Sequence, residues 1–177
     1  MSIIITMCNW RSINLLEIEK YEFTPIELAK PVCMVNRYVG GLLRPLSVGE
    51  HSVKLDACPE VQEKKLGPAA ICHDLSEGIM SDLINPMKRD PLYKGYLELE
   101  ERVQKHLFNQ WGIPWYMMEE VSPYDRRISE DEVRQLRPGG RGFGMEPLGV
   151  YYGIEEDHHW TYWLDKMKER FNAYGLD

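Results

Sequence analysis

Residues 69–88 read AAICHDLSEGIMSDLINPMK. Leu66, Ala69, Ala70, Cys72 and Leu75 recur at helical spacing, so they share one face. The spacing predicts a helix over 62–80, followed by a loop at Asn85-Pro86, where proline breaks the pattern. Outward from this stretch the same punctuation recurs. Ser47-Val48-Gly49-Glu50 is a capping box opening a helix with His51, Val53 and Leu55, and Pro59 stops it. Thr24-Pro25-x-Glu27 combines an N-cap, an N1 proline and an acidic N3. Its helix is predicted to pass Leu28, Val32 and Val35 and to end near Gly40-Gly41. Downstream, a long helix from about Tyr93 to Trp111 carries Leu97, Leu99, Val103 and Leu107 among charged residues. Trp115 to Val121 reads as helical, and Ser122-Pro123 and Ser129-x-x-Glu132 each read as a new helix start. Trp160, Trp163, Leu164, Met167 and Phe171 form one face of a tail helix, as core or as a subunit contact. At the N-terminus, β-branched Ile3 to Thr6 reads as a strand paired with Arg11 to Leu16, turning at Cys8-Asn9-Trp10. The reading is an all-α, mostly helical chain with a small N-terminal β element, one domain over 1–177.

The chain has 177 residues, enough to bury a core without a disulfide or metal staple. Apolar residues are 44% and charged residues 28%, near the globular average, which argues against disorder, collagen and coiled-coil arrays. The formal charge is −7, which disfavours a nucleic-acid polymer or an anionic membrane as partner. A few local arginines and lysines still suffice for an anionic small molecule. Cys8, Cys33, Cys58 and Cys72 form no CxxC pair and read as reduced, buried thiols. MSIIITMCNW lacks the basic region and cleavage site of a signal peptide. No stretch approaches the roughly 18–20 apolar residues of a membrane span. A cytoplasmic protein is the expectation.

Neutral imidazole and carboxylate are good ligands for a mid-sized divalent ion. The chain offers His51, then His73-Asp74, then a later Asp. Adjacent helical residues point about 100° apart, so His73 and Asp74 can converge on an ion lying between them. Glu77 falls three and four residues after this pair, over the same face. A carboxylate placed there can orient or deprotonate water without being a ligand. Asp82 follows near the helix end. A lone His-Asp pair arises by chance, and His73 alone reads as a hydrogen-bonded, half-buried histidine. The longer string carries the signal.

EHS (50–52) followed by HDLSEGIMSDLINPMK (73–88) resembles the HD-domain phosphohydrolases. Within them it is similar to short phage and prophage proteins related to bacterial 5′-deoxynucleotidases. The resemblance spans about 3–135 and includes IIITMCNWRSINLLE, TPIELAKPVCMVNRYVGG, LSVGEHS, YLELEERV and SPYDRRISEDE, with 69–88 the specific part. It implies a helical HD-domain bundle with metal ligands His51, His73, Asp74 and Asp125. It implies catalytic acidic residues Glu77 and Asp82, and Arg37 and Lys88 near the substrate phosphate. It implies a divalent cofactor, with Mn, Co, Zn, Mg, Ni and Fe not distinguished, and a homo-oligomer in the cytoplasm, the host's if phage-encoded. The implied reaction is metal-dependent hydrolysis of deoxynucleotides, with monophosphates as substrates for a 5′-deoxynucleotidase. The alternative is a triphosphohydrolase releasing deoxynucleoside and triphosphate, for which Arg44, Arg126 and Arg127 are the available extra cations. An alternative of another class is a non-catalytic nucleotide-binding or host-interaction protein on an HD scaffold. Cys72 and Ser81 stand where the family more often has Ala and Gly, a departure among small residues. Pro123 is the larger departure: in Ser122-Pro-Tyr-Asp125 the Asp also fits an N3 capping position, with Asp131 a poor substitute ligand.

Other signals read as structural. Glu155 to His159 suits a solvated turn at a helix N-terminus. RPGGRGFG (137–144) lacks the phosphate-loop pattern and reads as a glycine-rich loop able to act as a lid. Tyr38, beside Arg37, is a candidate for stacking on a nucleobase.

Overall fold

Two N-terminal caps start the helices that frame the molecule, and the computed structural model, which describes residues 2–7 and 10–176, starts both helices where the sequence predicts, although at Ser47 only half of the expected box forms because the Glu50 carboxylate turns to Arg44. Helix α1 spans Pro25–Met34, with the Thr24 N–H donating to Glu27 Oε2 at 2.9 Å. Helix α2 spans Val48–Asp56, with the Glu50 N–H donating to Ser47 Oγ at 3.0 Å. Between them α1 stops at Met34, short of the expected Gly40-Gly41. Asn36 instead forms an antiparallel bridge with Ser47, and Val48 N–H donates to the Val35 carbonyl at 2.9 Å. That bridge takes up backbone groups that a longer helix would have used internally.

The single helix expected over 62–80 is three short ones. Pro59 ends nothing further; it opens α3, Pro59–Glu63, from the first turn. Lys65 turns left-handed at φ +58°, and α4, Gly67–Cys72, begins with Pro68 in its first turn. A Cβ on Gly67 would meet the Tyr174 hydroxyl, so a larger residue there would push Tyr174 away from Asp56. Helix α5 is Glu77–Met80. The intervening 73–76 segment is tightened by i→i−3 bonds, such as Glu77 N–H to Asp74 carbonyl at 3.0 Å.

Helix α6, Asn85–Lys88, and the long α7, Lys94–Gln110, follow. Helix α8 spans Tyr116–Leu136 without interruption, absorbing Pro123 and both expected starts at Ser122 and Ser129. Helix α9 spans Trp160–Tyr174 and buries Trp163, Met167 and Phe171. That tail face, open to being a subunit contact, is core. Helix α1 packs against α9, α2 and α5; α2 packs against α4 and α9; α4 also meets α8. Leu28, Val32, Leu55, Ala70, Ile71 and Ile128 sit in the core they share.

The β element is a two-stranded antiparallel sheet, β1 Ile4–Thr6 and β2 Ser12–Asn14, with Ile5 opposite Ile13. The turn expected at Cys8-Asn9-Trp10 is described only at Trp10; Cys8 and Asn9 lie outside the described residues. Cys33, Cys58 and Cys72 are free and buried, and burial pushes the Cys33 thiol up to about 12. Among the described residues no helix is long and apolar enough to cross a membrane.

Candidate metal centre

Three separate segments bring four acceptor atoms together. Helix α2 supplies His51, the 73–76 turn supplies His73 and Asp74, and the middle of α8 supplies Asp125. The two Nε2 atoms lie 3.1 Å apart. Asp74 Oδ2 is 3.1 Å from His73 Nε2 and 3.8 Å from His51 Nε2. Asp125 Oδ1 mirrors it, 3.1 Å from His51 Nε2 and 3.8 Å from His73 Nε2. Asp125 is therefore no helix cap: it sits well inside α8, and its side chain faces the histidines.

A divalent ion suits this group. His73 Nδ1 is 2.8 Å from the Ala70 carbonyl, and His51 Nδ1 is 2.6 Å from Glu132 Oε1. With its proton on Nδ1, each neutral ring presents Nε2 as a bare lone pair. Two imidazole lone pairs and two carboxylate oxygens then face one another with no donor between them. A cation satisfies such a set; without one, protons on the Nε2 atoms, shared with Asp74 and Asp125, do so. Ligand atoms about 2.1 Å from a tetrahedral ion are spaced about 3.4 Å apart, between the 3.1 Å and 3.8 Å separations among His51, His73 and Asp74. His51, His73 and Asp74 thus form a group that can hold a metal ion.

The electrostatics point the same way. Burial works against the charge of Asp74, but His73 and its hydrogen bond hold the carboxyl below the usual range. Burial likewise opposes Asp125, and the hydrogen bonds from His51 and His73 outweigh it. Burial disfavours the charged form of His73, yet the neighbouring Asp74 and Asp125 raise its proton affinity well above an ordinary histidine's. An entering metal ion therefore displaces protons from the site.

Beside this group lies a second, acidic set. Glu77 is buried; Oε1 lies 3.4 Å from Lys88 Nζ, and Oε2 has no hydrogen-bond partner among the described residues. Burial, and then the Asp74 and Asp82 carboxylates, push the Glu77 carboxyl well above the usual range. Lys88 also reaches Glu100 Oε1 at 3.3 Å. Burial opposes its charge, but Glu77 and Glu100 hold it protonated. Asp82 is half-buried in the loop after α5. Arg37 is beside the histidines, but its donors are shared among Glu132 Oε2 (3.1 Å), Ser129 Oγ (3.0 Å) and Asp74 Oδ2 (3.4 Å). Tyr38, offered as a stacking platform, turns its hydroxyl onto Glu132 Oε2 at 2.7 Å. Tyr38 and Val39 are both left-handed, at φ +55° and +56°, a conformation that costs a non-glycine residue about 1–2 kcal/mol. Such strain gathers at functional sites.

Several site residues escaped the sequence reading. Gln104 on α7 accepts from the Ser76 N–H at 3.1 Å and donates to the Cys72 carbonyl at 2.9 Å, clamping the turn that carries His73 and Asp74. Gln104→Ala orphans the buried Ser76 N–H and leaves the Cys72 carbonyl with the Leu75 N–H alone, at 3.1 Å, and an expected loss of about 1–3 kcal/mol follows. Chemical denaturation checks it, and an unchanged midpoint would refute the clamp. The glycine-rich segment 137–144 is joined to α8 at Phe143, and the chain after it at Leu148 and Tyr152. Glu130 Oε2 accepts from the Phe143 N–H at 2.7 Å, Asp131 Oδ2 from Leu148 N–H at 2.8 Å, and Gln135 Oε1 from Tyr152 N–H at 2.8 Å. Asp131 is thereby committed to this strap and is no ligand. A tripeptide of buried acids gives no hint of such partners until the loop is seen lying along α8. Among the described residues, 155–159 forms no metal-ligating group, and Glu156 instead meets Lys54 at 2.6 Å.

No protein-family model matches the chain. Over 120 residues it is 26% identical to the uncharacterized protein YfdR of Escherichia coli (strain K12), covering 68% of this chain and 65% of that protein. Over 116 residues it is 29% identical to an uncharacterized protein of Rhodobacter capsulatus, covering 61% of this chain and 58% of that one. The chain spans less than two thirds of the length of these relatives.

Proposed function

We propose that the chain is a metal-dependent phosphohydrolase of the HD type that converts deoxynucleoside monophosphates to nucleoside and phosphate. The convergence of His51, His73, Asp74 and Asp125 from three segments carries this reading. A divalent ion held by His51, His73 and Asp74, with Asp125 as fourth ligand, supplies Lewis acidity to a phosphoryl oxygen and acidifies water. Glu77, kept protonated by burial, delivers a proton to the leaving ester oxygen. Asp82, in the more open loop, orients the attacking water and takes its proton. Lys88 and Arg37 offset charge on the phosphoryl oxygens. Lys88 already faces Glu100 and Arg37 already faces Glu132, so the added positive field is small and suits a single phosphate. A triphosphate needs more cations. Arg44 is committed to Glu50 at 2.7 Å and Arg127 to Glu60 at 2.8 Å, which favours the monophosphate over the triphosphate reading.

The test is product analysis with Mn, Co, Mg, Zn, Ni or Fe(II) and a panel of deoxynucleoside mono-, di- and triphosphates. Orthophosphate from monophosphates is expected. Tripolyphosphate from triphosphates would replace this substrate with the longer one, and no turnover with any metal overturns the reading.

A further inference from the structure

Glu132 is fully buried, and its carboxylate is surrounded by four donors from three parts of the chain. Oε1 lies 2.6 Å from His51 Nδ1 and 3.3 Å from the Tyr152 hydroxyl. Oε2 accepts from Arg37 Nε at 3.1 Å and from the Tyr38 hydroxyl at 2.7 Å. Each oxygen has two donors, so the carboxylate can neither rotate nor exchange partners without orphaning one. Tyr152 reaches it from the strap that Glu130, Asp131 and Gln135 hold against α8. Tyr38 reaches it from the left-handed turn.

We infer that Glu132 is a positioning residue for the metal centre, and that Tyr38 and Tyr152 lock it in place. By accepting the Nδ1–H it fixes His51 in the tautomer that aims the Nε2 lone pair at Asp74, Asp125 and His73. It also raises the basicity of that nitrogen toward a cation. The strap over 137–159 is thereby part of the site's construction, two shells away from the ion. The inference rests on the metal-centre reading but not on any hydrolytic activity.

Glu132→Gln provides the test. One face of the new amide is a donor, and whichever way it turns it opposes either His51 Nδ1 or the Arg37 and Tyr38 donors. Two measurements are made on the purified full chain. Calorimetric titration with Mn or Zn is expected to show affinity about 10–100-fold weaker than wild type, the effect of removing a carboxylate behind a ligand histidine. Nitrogen-15 NMR of the zinc-loaded protein, with zinc in excess, is expected to show the His51 Nδ1–H signal of the wild type shifted in the variant. Wild-type affinity together with an unchanged His51 signal overturns the inference. A wild-type chain that binds neither metal overturns the metal-centre reading itself, a result distinct from weakening confined to the variant. If Glu132→Gln does not fold, Tyr38→Phe and Tyr152→Phe decide. Each removes one donor and is expected to weaken metal binding by about 2–10-fold, the worth of a hydrogen bond; wild-type affinity in both is the overturning result.

Discussion

Asp74→Ala is expected to lower metal-dependent phosphate release by about a thousandfold while leaving a folded chain. Asp74 Oδ2 closes one side of the acceptor group, 3.1 Å from His73 Nε2, and its loss removes an anion from a largely buried place. Lewis-acid stabilisation is worth several kcal/mol of transition-state charge, and each 1.36 kcal/mol is about tenfold in rate. The metal-free fold should tolerate the change, because the helices that pack around the site are anchored by core residues such as Leu55, Ile71 and Ile128. Thermal melts separate the two effects. With metal at about 100 times its dissociation constant the wild type gains about 2.7 kcal/mol, or about 5–10 °C in a chain of this size. Asp74→Ala should lose most of that shift. Turnover and a metal-induced shift both equal to wild type would remove Asp74 from the centre.

Glu77→Gln should separate acid catalysis from metal binding. The glutamine cannot donate a proton to a leaving oxygen, so a kcat loss of about 10²–10⁴ is expected, with the metal-induced thermal shift retained. The alkaline limb of the pH–rate profile set by Glu77 should vanish with it. Stability should move the other way. The folded Glu77 carboxyl binds its proton well above the ordinary value of 4.5, because it is buried and faces Asp74 and Asp82. Above that ordinary value the unfolded chain releases the proton and the folded chain still holds it. The stability of the metal-free wild type therefore falls as pH rises through this window toward the folded value. The glutamine variant has nothing to titrate. Its stability relative to wild type should therefore increase between pH 5 and pH 8 in denaturant unfolding. A difference that stays flat over that range would mean that Glu77 is already ionised in the fold.

Residue by residue, legibility follows the range of the interactions. The Ser47 cap with Glu50 and the Thr24–Glu27 box are local, and both helices start where these residues stand. The amphipathic stripes of α7 and α9 are also local periodicities, and both helices match them. Pro123 reads as a start because proline suits a first turn, yet α8 continues through it. Packing of Val121, Tyr124 and Ile128 on one face outweighs the one backbone bond proline forgoes. The break at Lys65 has no signature in residue type; a left-handed lysine is held only by its surroundings.

The same boundary runs through the site. Residue chemistry and spacing by themselves determined a mostly helical chain with a small β element, and singled out His51, His73 and Asp74 as imidazole and carboxylate able to hold a cation. They could not decide whether Asp125 caps a helix or faces a histidine. They also gave no sign that Glu132 lies 2.6 Å from a ring 81 positions away, or that Gln104 clamps the His-Asp turn. Those facts depend on which faces of α2, α7 and α8 meet. Helix-to-helix packing sets that through the sum of many weak, nondirectional contacts, whereas capping and periodicity are written within one turn of chain.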